Sequence, residues 1–258
     1  MGDTPNSSIK ELKMKKIILG FLLFLLASIQ SHAAQTVLVY EWAVTTGKAS
    51  EFVAAVDALQ KSKLGGDRTA QVQLQSSTFN GANAATHRVV VLYQSMAEME
   101  AWSAKFAGSK EQENFLKSIA EVATPVQDYM VQSFTNWGDV SNKDNVWDIV
   151  RVNVSDPNAI MNGLNELMSS SSAKGFPGQL WLVGIVRGQA SPVGNVTHEI
   201  VIGYESYAEL EAWQEKMTQT EDWANWMKIA SANQTLVNRY FLNNVKVYEH
   251  GMTLEDFD

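Results

Sequence analysis

Apolar residues along this chain form short runs, and the spacing within each run predicts the local structure. Residues 37–44 and 87–93 are rich in β-branched and aromatic side chains, which favour strands. In residues 49–61 the apolar side chains recur at helical spacing, as on the buried face of a helix. The first half is therefore expected to run strand, helix, strand, strand, helix and strand, over residues 37–44, 49–61, 69–79, 87–93, 96–122 and 126–134.

The second helix of this series carries its own start signal. Ser95 and Glu98 have the spacing of a capping box, in which a hydroxyl and a carboxylate satisfy the free amide groups of a helix N-terminus. The helix is expected to break near Gly108. Trp102 and Phe106 recur at helical spacing, and we expect them to form its buried face.

The chain contains one long internal repeat. Residues 86–102 recur as residues 197–213 at a constant offset of 111 positions (197 − 86), with Thr, His, Tyr, Ser, Ala, Glu and Trp in matching places. A period of this length is too long for a solenoid and indicates a duplicated small domain. The two copies are expected at 34–137 and 146–250, joined by a polar, turn-rich linker at 138–145.

The N-terminus has the three parts of an export signal. Lys13, Lys15 and Lys16 precede an apolar run at residues 17–29, and small residues follow it up to Ala33. The run is too short to span a bilayer. Residues 1–33 are therefore predicted to be a signal peptide, which places the mature protein in the periplasm or outside the cell and off the membrane.

The true start of translation stays open, because Met14 directly precedes a lysine pair at the head of this signal. Residues 1–13 would then be an extension that is not translated. Either start leaves the same signal and the same mature chain.

Composition narrows the classes of partner. The chain has no cysteine, which excludes disulfides, thiolate metal sites and a cysteine nucleophile. Its formal net charge is −8, and the predicted signal carries four Lys against two acidic residues, so the mature charge is −8 − 2 = −10. This balance argues against nucleic acid, whose phosphates need a basic surface.

Two segments resemble a known superfamily. Residues 41–52 are similar to the strand–Gly-Lys–helix opening of the dimeric α+β barrel superfamily, which includes antibiotic-biosynthesis-monooxygenase-like domains, and residues 204–213 are similar to its third strand and second helix. The resemblance implies an α+β fold in which two ferredoxin-like (βαββαβ) units pair sheet to sheet. With a tandem repeat, one chain would supply both halves of a pseudo-twofold barrel. Residues 155–158 depart from the Gly-Lys opening, and no catalytic residue carries over.

His87 and His198 are the first candidates for chemistry, since both open a strand and share a face with apolar residues. If the barrel brought these faces into one cavity, the imidazoles could ligate a metal or haem, or act as a general base. The alternative is a hydrogen bond at the sheet end. No metal-binding spacing such as HExxH is present, so no metal is expected unless at one of these histidines. The cofactor is unknown, and haem is an alternative rather than the main expectation.

Paired aromatic residues are the second set of candidates. They could line a pocket, or they could be packing residues with wet hydroxyls. The glutamines of the second strand would make the cavity polar if they face the barrel, and would merely be solvated at an edge. The aromatic candidates are Tyr93, Tyr204, Tyr129, Tyr240, Trp223 and Trp226. The glutamines are Gln71, Gln73 and Gln75.

The leading expectation for function is an exported barrel that binds a small, largely apolar molecule in or beside the barrel. The alternatives are a cofactor-independent or haem-dependent monooxygenase-like enzyme, and an assembly protein without a ligand. Exposed strand edges leave a homodimer open. Residues 251–258, with His250 beside them, are expected to form an acidic, solvated tail.

Overall fold

The computed structural model describes residues 35–188 and 194–257. Residues 1–34, which include the predicted signal peptide, residues 189–193 and the last residue, Asp258, lie outside this range. The first half contains β1 (Thr36–Val44), α1 (Ala49–Lys61), α2 (Lys63–Gly66), β2 (Ala70–Thr78), β3 (His87–Tyr93), α3 (Met96–Phe106), α4 (Lys110–Ala120) and β4 (Ala123–Gly138). The second half contains β5 (Val146–Val154), α5 (Pro157–Ser169), β6 (Gln179–Gly188), β7 (His198–Tyr204), α6 (Tyr207–Thr218), α7 (Glu221–Asn233), β8 (Gln234–His250) and a 3₁₀ turn at Leu254–Phe257.

The strands close into one barrel in the order β1-β3-β2-β8-β5-β7-β6-β4. Every neighbouring pair is antiparallel. Each half contributes a four-stranded sheet, β4-β1-β3-β2 or β8-β5-β7-β6, and the seams are β2 with β8 and β4 with β6. This is a ferredoxin-like α+β arrangement, as the residue pattern predicts. Closure leaves no free strand edge in the described sheet, which removes the reason given for a homodimer.

The helices cover the outer faces of the two sheets. In the first half Phe52 and Val56 of α1 pack on Val72 and Val89. In the second half α5 packs in the same way on outward side chains of β5, β6 and β7. Among the described residues, no helix is both long and apolar enough to cross a membrane.

The predicted second helix of the first half is two helices, α3 and α4. They separate at Gly108, whose φ is +75°. Glycine adopts this left-handed conformation with little strain because it has no Cβ atom. We expected α3 to have a buried face, but none of its residues is fully buried. Trp102 and Phe106 instead stack on each other with ring centroids 4.6 Å apart, and the Arg68 guanidinium lies 3.6 Å from the centre of the Trp102 ring. Met99 and Trp102 are only partly buried, and both pack against the apolar core of the first half.

The end of the barrel at which β4 and β8 terminate is closed by the C-terminal segment, residues 251–257. Met252, Leu254 and Phe257 are buried and join the interior apolar cluster. The side-chain amide of Gln35 donates to the Phe257 carbonyl at 2.5 Å, and the Leu254 amide donates to Asn142 at 3.1 Å. The prediction of a solvated tail is therefore wrong for this segment. Its apolar residues fill the open end of the barrel, and only the acidic side chains between them face water.

The linker, residues 138–145, also closes this end. Val140 and Asp144 are buried, within a segment that the sequence predicts to be a polar, turn-rich linker. The Gln179 amide donates to Asp144 at 2.7 Å. Burial raises the pKa of the Asp144 carboxyl to about 6, against the lowering effect of that hydrogen bond.

Asp144→Asn is expected to stabilise the protein at neutral pH. The folded-state pKa of Asp144 is above its ordinary value, so the stability contributed by the protonated carboxyl is present at low pH and is lost as pH rises through about 6. We expect a gain in the free energy of unfolding on the order of 2 kcal/mol at pH 7.5 and none near pH 3.5. Urea unfolding of both proteins across this range tests it, and a pH-independent difference would contradict it.

Candidate functional site

Four charged side chains meet inside the barrel. Glu41 of β1 lies opposite Arg88 of β3, and Arg151 of β5 lies opposite Glu199 of β7. The two halves therefore carry the same pair in reversed order, with acid and base exchanged. All four residues are buried, Arg151 and Glu199 completely. A buried charge costs several kcal/mol unless it is paired and hydrogen-bonded, so the exchange lets each half neutralise the other.

Arg151 is the centre of this charged cluster. Its Nε donates to Glu199 at 2.8 Å, and its Nη2 donates both to Glu41 and, at 2.6 Å, to the Tyr129 hydroxyl. Its guanidinium also lies 4.9 Å from the centre of the Tyr240 ring. One side chain of the second half thus holds a carboxylate from each half.

The two tyrosines complete the hydrogen bonds of the carboxylates. The Tyr129 hydroxyl donates to Glu199 at 2.7 Å and the Tyr240 hydroxyl donates to Glu41 at 3.2 Å. Burial raises the pKa of both phenols well above the ordinary value, so they stay protonated. Burial alone would raise the pKa of Glu199, but the charges of Arg88 and Arg151 outweigh it and lower that pKa. The cluster therefore holds two carboxylates, two guanidinium groups and two neutral phenols.

An apolar cavity of about 80 Å³ lies inside the barrel between the charged cluster and the C-terminal segment. Arg88 and Glu199 form its charged wall, and Leu254 closes it on the side of the C-terminal segment. A polar interior site of a few tens of Å³ has room for several water molecules, and an apolar one of this order takes a small organic molecule. The rest of the wall is mainly Val37, Val90, Leu92, Val131, Trp147, Ile149, Trp181, Val183 and Val201.

Arg88, which borders this cavity, has two nitrogen atoms without a hydrogen-bond partner among the described residues. Its Nη2 donates to Glu199 at 3.3 Å, while its Nε and Nη1 are buried and have no hydrogen-bond partner among the described residues. The Arg88 guanidinium is not closely stacked on an aromatic ring either, since it lies 6.0 Å from the centre of the Tyr129 ring. Leaving buried donors of a charged group unmatched costs more than the 1–3 kcal/mol typical of a neutral group. Arg88 thus borders the cavity, while its two unpaired nitrogens are covered by neighbouring protein atoms.

The glutamines of β2 line the inside of the barrel. Gln73 donates to Gln71 at 2.9 Å and Gln75 donates to Gln73 at 3.0 Å, which gives a continuous row of side-chain amides. Gln73 and Gln75 border the cavity. The polar face of β2 therefore points into the barrel, which is one of the two alternatives expected from the sequence. The equivalent strand β6 presents Trp181 and Val183 to the cavity instead. The cavity is therefore asymmetric, because β2 and β6 carry different side chains at these positions.

The histidines lie outside the barrel interior. His87 packs against Phe52 of α1 with ring centroids 5.2 Å apart, and His198 packs against Phe134 at 5.6 Å. Each Nδ1 is hydrogen-bonded to the preceding threonine hydroxyl, at 3.0 and 2.9 Å. Burial lowers the pKa of both rings, which favours neutral imidazole. The expectation of one cavity shared by both histidines is not met, and the hydrogen-bonding alternative describes them.

These surroundings do not fit haem. The layer between sheet and α1 is filled by side chains such as Phe52 and Val89, and no histidine lines the interior cavity or the cavity bordered by Leu38 and Arg187. Among the residues described, no group of three or more His, Asp or Glu side chains could hold a metal ion.

The remaining aromatic candidates separate into two places. Tyr129 and Tyr240 face the interior and take part in the charged cluster. Tyr93 and Tyr204 are buried on the helix-facing side, where burial raises the pKa of Tyr93 to about 12. Trp226 is buried and Trp223 half-buried in the layer beneath α7, which is a packing position. Of the predicted site residues, Gln73 and Gln75 border the cavity, and Tyr129 and Tyr240 lie in the charged cluster next to it.

Sequence reasoning missed the charged cluster. Its signal is present, because Glu41, Arg88, Arg151 and Glu199 each interrupt an otherwise apolar strand. A charge in such a run usually marks an exposed position. The repeat adds a second signal, since position 88 carries Arg and position 199, at the same offset of 111, carries Glu.

The fold is shared with solved structures of distant sequence. A proposed monooxygenase from Fusobacterium nucleatum matches with a TM-score of 0.60 at 11% identity, over 84% of this chain and 95% of that one. A proposed monooxygenase from Lactobacillus acidophilus matches with a TM-score of 0.56 at 9% identity, over 84% and 97%. An anthrone oxidase-like protein matches with a TM-score of 0.56 at 13% identity, over 85% and 94%.

These similarities show the fold, that of the dimeric α+β barrel, as the resemblance in residues 41–52 implies. At such low identity they show nothing more. No protein-family model and no curated protein matches the sequence.

Proposed function

We propose that this chain is a small-molecule-binding α+β barrel whose site is the interior cavity. The observation that carries the proposal is an interior cavity of about 80 Å³ whose wall is mainly apolar and whose polar side includes Arg88 and Glu199. Binding sites for small molecules have this composition, a mostly apolar surface with few polar groups that fix orientation. A core that served packing alone would gain by filling the space and by replacing the arginine.

The proposal includes a tandem duplication and export. The offset of 111 positions relates Arg88 to Glu199 and Tyr129 to Tyr240, and these residues occupy matching places in the two half-sheets. This supports two fused ferredoxin-like repeats around a pseudo-twofold axis. Residues 1–33 support an exported protein, periplasmic or secreted, by their pattern alone.

Binding is tested on the protein purified from its own host by native mass spectrometry and by the indole N–H signals of Trp147 and Trp181, both of which border the cavity. We expect either an adduct of small mass or shifts of these two signals when xenon, which enters apolar cavities, is added. Val201→Phe fills the cavity and is expected to abolish the shifts. Val245→Phe, the same change at an exposed position of β8, should leave them intact.

Absence of an adduct together with unshifted indole signals would refute binding. The assembly reading, in which the closed barrel serves structure alone, would then be favoured.

A cofactor-independent oxidising enzyme is the second candidate. The observation that favours it is that three proteins of the same fold are named as monooxygenases or as anthrone oxidase-like. The cavity of about 80 Å³ is too small for a fused tricyclic ring, so such a substrate would need the C-terminal segment to move. Oxygen uptake with phenolic substrates by the cofactor-free protein tests this, with Val201→Phe as the blocked control.

A further inference from the structure

We propose that the interior cavity selects a neutral molecule with a hydroxyl or N–H group, which donates a hydrogen bond to the side-chain carbonyl of Gln75. This inference rests on the proposed function, because it concerns the ligand of the same cavity. Gln75 is buried and borders the cavity. Its Nε2 donates to Gln73 and to Asn244, whereas its Oε1 accepts no hydrogen bond from the described residues. Unlike the unpaired nitrogens of Arg88, this oxygen is not covered by neighbouring protein atoms.

The groups at both ends of the glutamine row fix the orientation of the Gln75 amide. Away from the cavity the row continues to Asn142, whose side-chain amide donates to Glu249 at 2.8 Å. An ionised carboxylate can only accept, so every amide of the row donates in that direction. At the other end the Trp147 indole N–H, which can only donate, bonds the Asn244 Oδ1 at 3.1 Å, and Gln75 therefore turns its Nε2 to the same oxygen. Its Oε1 is left for a ligand.

The second half of the barrel closes the same row, so the open end in β2 is a difference between the halves. Gln71 pairs with Leu92 of β3. Gln179 pairs with Gly203 of β7, at the offset of 111 positions from Leu92 (203 − 92), so the two glutamines occupy matching places. Two positions further along β6, the Trp181 indole N–H donates to the Gln179 oxygen at 2.9 Å. The row of β6 thus ends on a satisfied donor, whereas the row of β2 ends on an open carbonyl.

An open carbonyl in an apolar cavity favours a ligand that carries a donor. A neutral hydroxyl or N–H group supplies the missing hydrogen bond, and an alkyl body meets the apolar wall. A ligand with only an ether or carbonyl oxygen would place a second acceptor against the Gln75 oxygen. An ammonium group would add an unpaired buried charge, because the carboxylates and guanidinium groups of the charged cluster already balance. The volume of about 80 Å³ limits the ligand to a few non-hydrogen atoms, so short-chain alcohols and primary amides fit.

Three molecules with equal numbers of non-hydrogen atoms separate the possibilities: 1-propanol, ethyl methyl ether and butane. They share an unbranched shape and differ in having a hydroxyl, an ether oxygen or neither. Titrations of the purified protein, followed at the indole signals of Trp147 and Trp181, give three dissociation constants. The donor preference is the dissociation constant of the ether divided by that of the alcohol. We also expect 1-propanol to shift the side-chain carbonyl carbon signal of Gln75 downfield, as accepting a hydrogen bond does, and the other two molecules not to do so.

Two variants test the acceptor directly. Gln73→Leu with Gln75→Val makes this part of β2 apolar, as β6 is at Val183, the place that matches Gln75. Both glutamines are changed because loss of Gln75 alone would free the Gln73 oxygen, which it now satisfies. We expect the donor preference to fall at least about tenfold, because only the alcohol loses a hydrogen bond. Ser133→Ala is the control, since it removes another hydroxyl of the cavity wall, and it should keep the donor preference within about twofold.

The outcomes separate the two proposals. If none of the three molecules binds, the cavity is no binding site and the proposed function fails with the inference. If they bind but the double variant keeps the donor preference, the cavity binds small molecules and Gln75 does not select them. A preference lost in Ser133→Ala would overturn the role of Gln75 in the same way. Retained butane binding shows that the double variant is folded. If that binding is lost, the Gln75 carbon signal of the unchanged protein decides, and a signal that 1-propanol leaves in place refutes the inference.

Discussion

Arg151→Met is expected to lower the free energy of unfolding by about 3–5 kcal/mol at pH 7. Arg151 is completely buried and supplies hydrogen bonds to Glu41, Glu199 and Tyr129. Methionine has a similar length but no charge, so the change leaves two buried carboxylates with Arg88 as the one remaining cation of the charged cluster. Breaking a buried ion pair from one side is costly because the partner charge stays behind. Equilibrium urea unfolding measures the loss.

Arg187→Met is the matched control, since Arg187 lies on a strand but is exposed. It is expected to change the free energy of unfolding by no more than about 0.5 kcal/mol. The combined variant Glu41→Arg with Arg151→Glu exchanges the charges and keeps the sum at zero, and it should be more stable than either single change. A loss below about 1 kcal/mol in Arg151→Met would show that the cluster is hydrated rather than buried.

Phe257→Ala is expected to cost about 3–5 kcal/mol, although the residue lies at the end of an acidic tail. The Phe257 side chain is 1% exposed and packs in the interior cluster with Leu254 and Met252. Truncation leaves a cavity in the barrel end that the short 3₁₀ turn, fixed by the Gln35 hydrogen bond, cannot fill by collapsing. Thermal and urea unfolding at pH 7 measure the effect.

The neighbouring Glu255→Ala serves as the control, because Glu255 is exposed on the same turn. It should leave the unfolding midpoint almost unchanged. If both variants behaved alike, residues 251–257 would be the solvated tail that their acidic composition predicts. A large loss of unfolding free energy in Phe257→Ala alone, together with faster entry of a small probe into the cavity, would show that this segment closes the end of the barrel.

Much of the architecture follows from the residue pattern. The β-branched strands, the Ser95 capping box and the amphipathic helix 49–61 are local features, and each is observed near its predicted bounds. The recurrence of residues 86–102 as residues 197–213 predicts that the two stretches fold alike, and both are observed as a strand followed by a helix. Local propensity and apolar period are readable along the chain since they depend on near neighbours.

The candidate site could be predicted only in part. Tyr129 and Tyr240 face the interior, as one of the two interpretations of these pairs expects, whereas His87 packs against Phe52 of α1 and His198 against Phe134 of β4. Strand β3 explains the difference, because all of its residues are buried. With helices on one side and the barrel on the other, alternation no longer marks an inner and an outer face.

The sequence by itself determined the elements, their order, the repeat and the α+β class, because those depend on spacing along the chain. Only the tertiary structure decided which face of each strand points inward, that Arg151 joins Glu41 to Glu199, and that Phe257 closes the barrel. These contacts join positions that are far apart in sequence, 110 residues for Arg151 and Glu41. A buried charge is tolerated only where another element supplies its partner. Closure of the barrel, rather than the local sequence pattern, decides which residue that partner is.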